Sequence, residues 1–214
     1  MGSAESRSGH NASASASCGT RSGRRTASTR TAHLAAVKRR RRHRLTAPAD
    51  LEGTPPTPLP GWTVRQLVNH LVNEERWTPP LLSGSTIEEV GPRFDGDLLG
   101  DDPVAAFDGA AAAALAVVRA EGALEGTVHL SFGDHPAREY AMQLAADHLV
   151  HAWDLARAIG ADETLDADAV TAVRDWFPAM EATYREMGLI GPRVQIPTEA
   201  GPQAQLLAMM GRTS

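Results

Sequence analysis

Apolar residues recur every three or four positions from Val64 onward, the spacing that places side chains on one face of a helix. Thr63, directly before this pattern, is a favoured N-cap residue. Pro79 and Pro80 lack main-chain N–H donors and are expected to end the helix. The sequence therefore predicts a helix with one buried face here, and His70 lies within it.

The region after this helix is predicted to contain a loop, a second long helix and a short strand. Residues 83–101 are rich in Gly, Pro and Asp and are expected to form the loop. Acidic residues and a proline at 101–103 predict the start of a helix that runs to about Arg119. Residues 127–132 alternate between polar and apolar side chains, which predicts a strand followed by a turn at residues 133–134.

The second half of the chain has mainly helical periodicity. The predicted elements are a long helix from Pro136 through Ala158, a helix from residue 166 or 168 to about Met187 with a break at Pro178, a strand at 193–197 that could pair with 127–132, and a helix at about 202–210. These elements predict a mainly α fold with a small β-hairpin or strand pair.

Composition supports this interpretation and narrows the class of protein. Alanine is abundant and aromatic residues make up only 5% of the chain, which favours closely packed helices. The single cysteine, Cys18, excludes a disulfide framework and a cysteine zinc finger, and it suits a reduced, cytoplasmic protein. No apolar run reaches the roughly 18 residues that span a bilayer, so no membrane partner is expected.

Charge divides the chain into two parts. Residues 1–45 contain 11 of the 21 Lys and Arg residues and one of the 26 acidic residues, a net charge of +10, whereas the remainder carries −15. The first part is therefore predicted to be a disordered basic tail and residues 46–214 a folded domain. The basic run at 38–44 is interpreted as a solvated tail; alternatives are a nucleic-acid or anionic-surface patch, a transit peptide, or a misread start.

Candidate chemistry centres on the long predicted helix. Asp147 and His151 are four residues apart, so they lie about one turn apart on the same face. A carboxylate and an imidazole placed in this way can bind one divalent metal, and His70 is the best candidate for a third ligand. The alternative is a helix face whose polar side chains meet water. His148 lies off this stripe and is expected to face solvent.

Asp154, one turn beyond His151, could orient an imidazole or pair with Arg157. Two imidazoles and one carboxylate leave a divalent ion with open positions, where it can act as a Lewis acid or stabilise a bound thiolate. Zinc is the first choice of metal, and nickel and iron also suit these ligands. The sequence contains neither a Gly-rich phosphate loop nor a Gly-x-Ser-x-Gly elbow, so nucleotide binding and serine hydrolase chemistry have no support.

Two segments of the chain resemble the DinB-like superfamily, and in particular the actinobacterial family of mycothiol-dependent maleylpyruvate isomerases. They are residues 57–64, with Leu67, His70 and Leu71 after them, and residues 147–158. The ending, with Gln205, Leu206 and the pair Gly211 and Arg212, is also similar. The resemblance covers roughly residues 50–212.

This resemblance implies an up-down four-helix bundle that binds one divalent metal through His70, Asp147 and His151. It also implies chemistry on mycothiol or a similar low-molecular-weight thiol and an electrophilic substrate, as a transferase or an isomerase. A monomer or homodimer without a specific nucleic-acid partner is expected.

The sequence departs from the family pattern in three ways. Asp147 stands where the isomerase has the longer Glu, and the chain ends too soon for the separate C-terminal domain of the isomerase. The first helix of the bundle is degenerate or missing, since the region before residue 50 is Ser- and Arg-rich. These departures motivate a second hypothesis, a metal-binding or stress-related module without catalysis, and the basic tail motivates a third, binding of nucleic acid or an anionic surface.

Overall fold

The computed structural model describes residues 57–214. Its elements, in chain order, are α1 (Val64–Leu82), α2 (Ile87–Val90), a 3₁₀ turn (Gly91–Phe94), α3 (Pro103–Val118), β1 (Thr127–Leu130), β2 (Gly133–Pro136), α4 (Ala137–Ala158), α5 (Ala167–Trp176), a 3₁₀ turn (Phe177–Ala179), α6 (Glu181–Glu186) and α7 (Pro202–Met209). The prediction of a mainly α DinB-like fold with a small β-hairpin is confirmed. The predictions of a basic tail at residues 1–45, of a domain boundary at residue 46 and of a degenerate or missing first bundle helix all concern positions outside the described residues.

Helix α1 begins where the sequence predicted and ends later. Thr63 caps it by a reciprocal capping box, in which its hydroxyl accepts from the Gln66 N–H and its own N–H donates to the Gln66 side chain. The expected stop at Pro79 and Pro80 is wrong, because the helix continues to Leu82. The proline φ angle fits a helix, and the Ser83 N–H closes the last turn by donating to the carbonyls of both prolines.

Residues 83–101 are not all loop, because Thr86 caps the short helix α2 with a second capping box. The hairpin is also placed differently from the prediction: Leu130 pairs with Gly133, so the turn lies at residues 131–132 and Gly133 begins β2. The other edge of β1 contacts Thr86 through an isolated bridge to His129.

The strand predicted at 193–197 is wrong. No strand forms there, and the Val194 N–H donates to the Ala208 carbonyl of α7 at 3.0 Å. The alternating pattern instead corresponds to half-burial of Val194 and Ile196 between exposed neighbours. Apolar alternation over so short a segment does not distinguish a strand from a packed loop.

Helix α4 is central, because it is buried on nearly every side. On one side Leu155 joins a cluster with Leu71 of α1 and Phe107 of α3. On another side Trp153 packs against α5 and α7 in a cluster that includes Leu206. The apolar faces of α1 and α4 therefore share one core, and this contact brings the polar residues of the two helices together.

The predicted break at Pro178 is confirmed, since α5 ends at Trp176 and a 3₁₀ turn precedes α6. Glu181 at the start of α6 accepts hydrogen bonds from Arg193 and Arg185. The Arg193 hydrogen bond, with a smaller contribution from Arg185, lowers the pKa of Glu181 to about 2 against the opposing effect of burial. The ion pair between Arg193 and Glu181 therefore holds the segment after α6 against this helix. Within residues 57–214, no helix combines the length and the hydrophobicity that a membrane span requires.

Candidate metal centre

His70 lies in the second turn of α1, on the side that faces α4. The Trp62 ring, just before the cap of α1, contacts the His70 ring edge-on with 5.4 Å between ring centroids. The Thr57 hydroxyl holds the turn that carries Trp62 by donating to the Trp62 carbonyl at 3.0 Å. The polar start of α1 and the turn before it therefore position an imidazole that is 27% exposed.

Asp147 and His151 lie one turn apart on α4 and face His70. The Asp147 Oδ1 atom is 3.4 Å from His70 Nε2 and 3.1 Å from His151 Nε2. One candidate ligand atom from each of the three residues lies within 4.8 Å of the others. This grouping joins residues 77 positions apart in the sequence. Two imidazole nitrogens and one carboxylate oxygen form a donor set that suits zinc, nickel or iron.

The electrostatics of the cluster are those of a strongly coupled carboxylate and imidazole. Burial would raise the pKa of Asp147, but His151, His148 and His70 around the carboxylate hold that pKa well below its ordinary value. Burial would lower the pKa of His151, but the Asp147 charge and hydrogen bonds to Asp147 and Asp154 raise it to about 9. The carboxylate therefore stabilises one positive charge at this point.

Asp154 lies next to His151 and not next to Arg157. Its fully buried carboxylate accepts from His151 Nδ1 at 2.9 Å and from Arg212 Nη2 at 2.9 Å. This contact orients the imidazole so that Nε2 points towards Asp147. Arg157 instead lies over the Trp153 ring and donates to the Thr213 carbonyl at 3.1 Å, away from the cluster.

Arg212 contacts Asp154 from the end of the chain, a contact that the sequence did not reveal. It follows Gly211, whose φ of +76° is a backbone conformation that glycine adopts readily. A Cβ atom at Gly211 would lie 3.0 Å from the Cα of Gly191. The tight turn after α7 therefore depends on glycine, and it delivers the guanidinium to Asp154.

The expectation that His148 faces solvent is wrong. His148 is 0% exposed, and its Nε2 lies 2.7 Å from Oε1 of the equally buried Glu75. Its Nδ1 lies 3.4 Å from Asp147 Oδ2, so His148 stands behind the carboxylate whose other oxygen faces His70 and His151. Because α4 is buried nearly all round, its sequence has no clear solvent stripe. A signal for Glu75 existed, since it continues the i, i+4 spacing of the buried Leu71.

A cavity of about 530 Å³ opens beside the three candidate ligands. Glu74, four residues after His70 and on the same side of α1, lines it together with Tyr140 and Tyr184. Burial, and after it the nearby Asp147 charge, raises the pKa of Glu74, whereas His70 and the other histidines lower it. Glu74 was not among the predicted site residues, although its spacing from His70 indicated the same helix face. The cavity gives a small molecule access to the cluster.

Comparison with known proteins shows the family of the chain. The family model described as "Mycothiol maleylpyruvate isomerase N-terminal domain" matches residues 34–156. Two proteins of Mycobacterium tuberculosis are each 33% identical to the chain, Uncharacterized protein MT0763 of strain CDC 1551 and Uncharacterized protein Rv0738 of strain H37Rv. Each match covers 74% of this chain and 84% of the relative. No solved structure matches the chain significantly. The chain therefore belongs to the mycothiol maleylpyruvate isomerase N-terminal domain family, as the resemblance of its two motifs implied.

Proposed function

We propose that the protein is a divalent-metal-dependent enzyme that uses a low-molecular-weight thiol as a transferase or an isomerase. The ligands are His70, Asp147 and His151; zinc is the first choice of metal, with nickel or iron as alternatives. The observation that carries the proposal is the position of Asp147 Oδ1, 3.4 Å and 3.1 Å from the two imidazole Nε2 atoms, at a cavity large enough for a ligand. Mycothiol is the proposed thiol because the family description names it.

The donor set suits catalysis better than simple storage of a metal. Three protein ligands are typical of catalytic zinc sites, whereas closed structural sites have four. A divalent ion held there would lower the pKa of a thiol, so that its sulfur is present as the nucleophilic thiolate near neutral pH. Among the chain's own residues, Asp154 orients His151, and His148 stands behind Asp147.

Glu74 is the proposed proton carrier. In a transfer reaction, the sulfur forms a bond to an electrophilic carbon of a double bond, and the π electrons move to the neighbouring carbon. That carbon takes up the proton that the thiol released, so the addition needs no oxidant or reductant. In an isomerisation, rotation about the new single bond is followed by loss of the same proton and breakage of the S–C bond. Glu74 lines the cavity with a raised pKa, which suits a group that accepts and returns one proton.

Metal content of the full-length protein tests the ligand assignment. About one divalent ion per chain is expected, and His70→Ala and His151→Ala should each lose it. His129→Ala is a matched control, since His129 lies on β1 and hydrogen-bonds Asp134 at 2.7 Å in the exposed hairpin. Full metal content in both the His70 and His151 variants would refute the assignment.

A second measurement separates catalysis from metal binding alone. In the cobalt-substituted protein, addition of a thiol should produce sulfur-to-cobalt charge-transfer absorption, and the protein should accelerate conjugation of that thiol to an electrophile. A protein that binds metal stoichiometrically and shows neither effect is the non-catalytic module of the alternative hypothesis. The third hypothesis rests on residues 38–44, which lie outside the described residues.

A further inference from the structure

Apolar side chains form much of the cavity wall beside the metal cluster. They come from the turn before α1, from α4, and from the segments after α6 and α7, and include Leu59, Leu144, Val150, Leu189, Ile190 and Met210. A cavity of about 530 Å³ is within the range of small-molecule sites, and such walls favour a ligand with an apolar body. The charged and polar residues that line the cavity therefore determine which reacting group of a ligand it accepts.

Among the described residues that line the cavity, Arg212 is the one with a permanent positive charge. Its Nε and Nη2 donate to the Asp154 carboxylate at 3.2 Å and 2.9 Å, and its Nη1 donates to the Met210 carbonyl at 2.7 Å. The Arg212 side chain is only 10% exposed. Its charge is therefore already paired with the opposite charge of a buried carboxylate.

The remaining charged groups of the cavity disfavour an anion. The carboxyl groups of Glu74 and Asp147 line it, and the two histidines are the proposed metal ligands. The charge of a divalent ion would be offset by Asp147 and one thiolate, which leaves no surplus positive charge. The full chain carries a net charge of −5, which also gives an anion no overall attraction to the protein. A ligand carboxylate would lose its hydration here without gaining a counter-charge.

We propose that the electrophile of this site is an uncharged molecule with an apolar body, such as an ester or ketone conjugated to a double bond, and not a carboxylate. This inference rests on the proposed function, because it names the partner of the thiol. The bond changes are those of the addition given above: sulfur bonds to the β-carbon, and the α-carbon gains the thiol proton. A dicarboxylate such as the one in the family's name would meet, among the described lining residues, no permanent cation that is not already paired with a carboxylate.

Binding of a matched pair of unreactive probes tests the charge preference directly. Methyl 3-phenylpropionate and 3-phenylpropionate share one carbon skeleton and differ in charge. Titration calorimetry on the full chain, as isolated and after zinc loading in the presence of 2-mercaptoethanol, should show that the ester binds at least about tenfold more tightly, the ratio that ~1.4 kcal/mol gives. Equal binding, or tighter binding of the acid, overturns the proposal.

Two arginine substitutions test whether the preference for the uncharged probe arises in this cavity. Leu189 lines the cavity and is 57% exposed, so Leu189→Arg adds a cation at the mouth without disturbing the core. This added cation should reduce the ratio of the acid's Kd to the ester's Kd by about tenfold. Phe132→Arg adds the same charge on the hairpin turn, where the side chain is 53% exposed and does not line the cavity, and should leave the ratio unchanged. Equal narrowing by both variants overturns the assignment to this cavity.

Turnover gives an independent readout. Each kcat/KM for addition of the thiol to dimethyl maleate and to maleate is divided by the uncatalysed rate constant, which removes their different intrinsic reactivity. The normalised value should be larger for the diester, and a larger value for maleate overturns the proposal. Metal content decides the proposed function separately, because the binding of the saturated probes requires neither turnover nor a reactive thiol.

Discussion

Replacing Arg212 by methionine is the sharpest test of how the centre is supported. Asp154 is 0% exposed, and Arg212 provides two of the hydrogen bonds that its carboxylate accepts. A hydrogen bond to a charged group contributes about 1.5–3 kcal/mol. Removing one partner of a buried pair costs about 3–5 kcal/mol, because the other charge is left uncompensated. We therefore expect Arg212→Met to lower the free energy of unfolding by about 3–5 kcal/mol, measured by urea denaturation.

The same substitution should weaken metal binding. Without Arg212, the carboxylate that orients His151 is no longer held in place, and loss of such an outer contact weakens metal affinity by about 10–100-fold. Competition against a chromophoric chelator measures this loss. The double variant Asp154→Asn with Arg212→Met removes the buried charge as well and should recover part of the stability.

Arg157→Met is the matched control for this experiment. Arg157 makes a more exposed pair with Glu163 at 3.5 Å, which contributes at most about 1 kcal/mol, and its contact with the Trp153 ring adds about 0.5–1 kcal/mol at an exposed site. If Arg212→Met costs no more than Arg157→Met, and the metal affinity is unchanged, Asp154 does not depend on Arg212 and the proposed support of His151 is wrong.

Three further predictions follow from pKa values and backbone geometry. Because His151 has a pKa of about 9, it must lose a proton before Nε2 can bind metal. The apparent zinc affinity should therefore rise about tenfold per pH unit from pH 7 to about 9 and then level off. A zinc affinity that does not change with pH contradicts this prediction. Glu181 has a folded-state pKa of about 2 against an ordinary 4.5, so its stabilisation is complete above about pH 4.5 and is lost as the pH falls towards 2. The urea midpoints of the protein and Glu181→Gln should therefore differ at pH 6 and converge near pH 2, and a constant difference would count against this ion pair. Gly211→Ala should lower the free energy of unfolding by at least about 1 kcal/mol, because of its φ of +76° and the contact of the new Cβ with Gly191. Gly126→Ala, where a Cβ meets open space, should have a smaller effect in the same denaturation experiment.

Local patterns were sufficient for most elements of the described region. Thr63 and Gly160 mark helix limits through groups that lie next to them in the chain, so caps and stop signals act locally. The prediction at Pro79 and Pro80 was wrong because continuation of α1 depends on burial of Leu81 in a cluster with residues of α3 and α4. The strand at 193–197 was wrong for a similar reason, since its main chain bonds to a helix end.

Some features of the candidate site likewise follow from local sequence, whereas others depend on the folded chain. Asp147 and His151 are related by one helical turn, and this relation follows from the sequence alone. Glu75 was missed and His148 was wrongly expected to face solvent because both are buried polar groups, which the helical pattern on its own assigns to a solvent face. Their burial is tolerated because each faces the other, and this pairing across 73 positions exists only in the folded chain.

The sequence by itself determined the helical character, the hairpin, the acidic body and the stripe of ligand-type residues on α4, because periodicity, caps and charge are properties of neighbouring residues. Only the tertiary structure decided that His70 meets this stripe, that Arg212 rather than Arg157 holds Asp154, and that Glu74 enters a cavity with apolar walls. The physical reason is that these contacts depend on how α1 and the C-terminal turn pack against α4, and the packing distance between two helices is not encoded in the spacing of residues within either one.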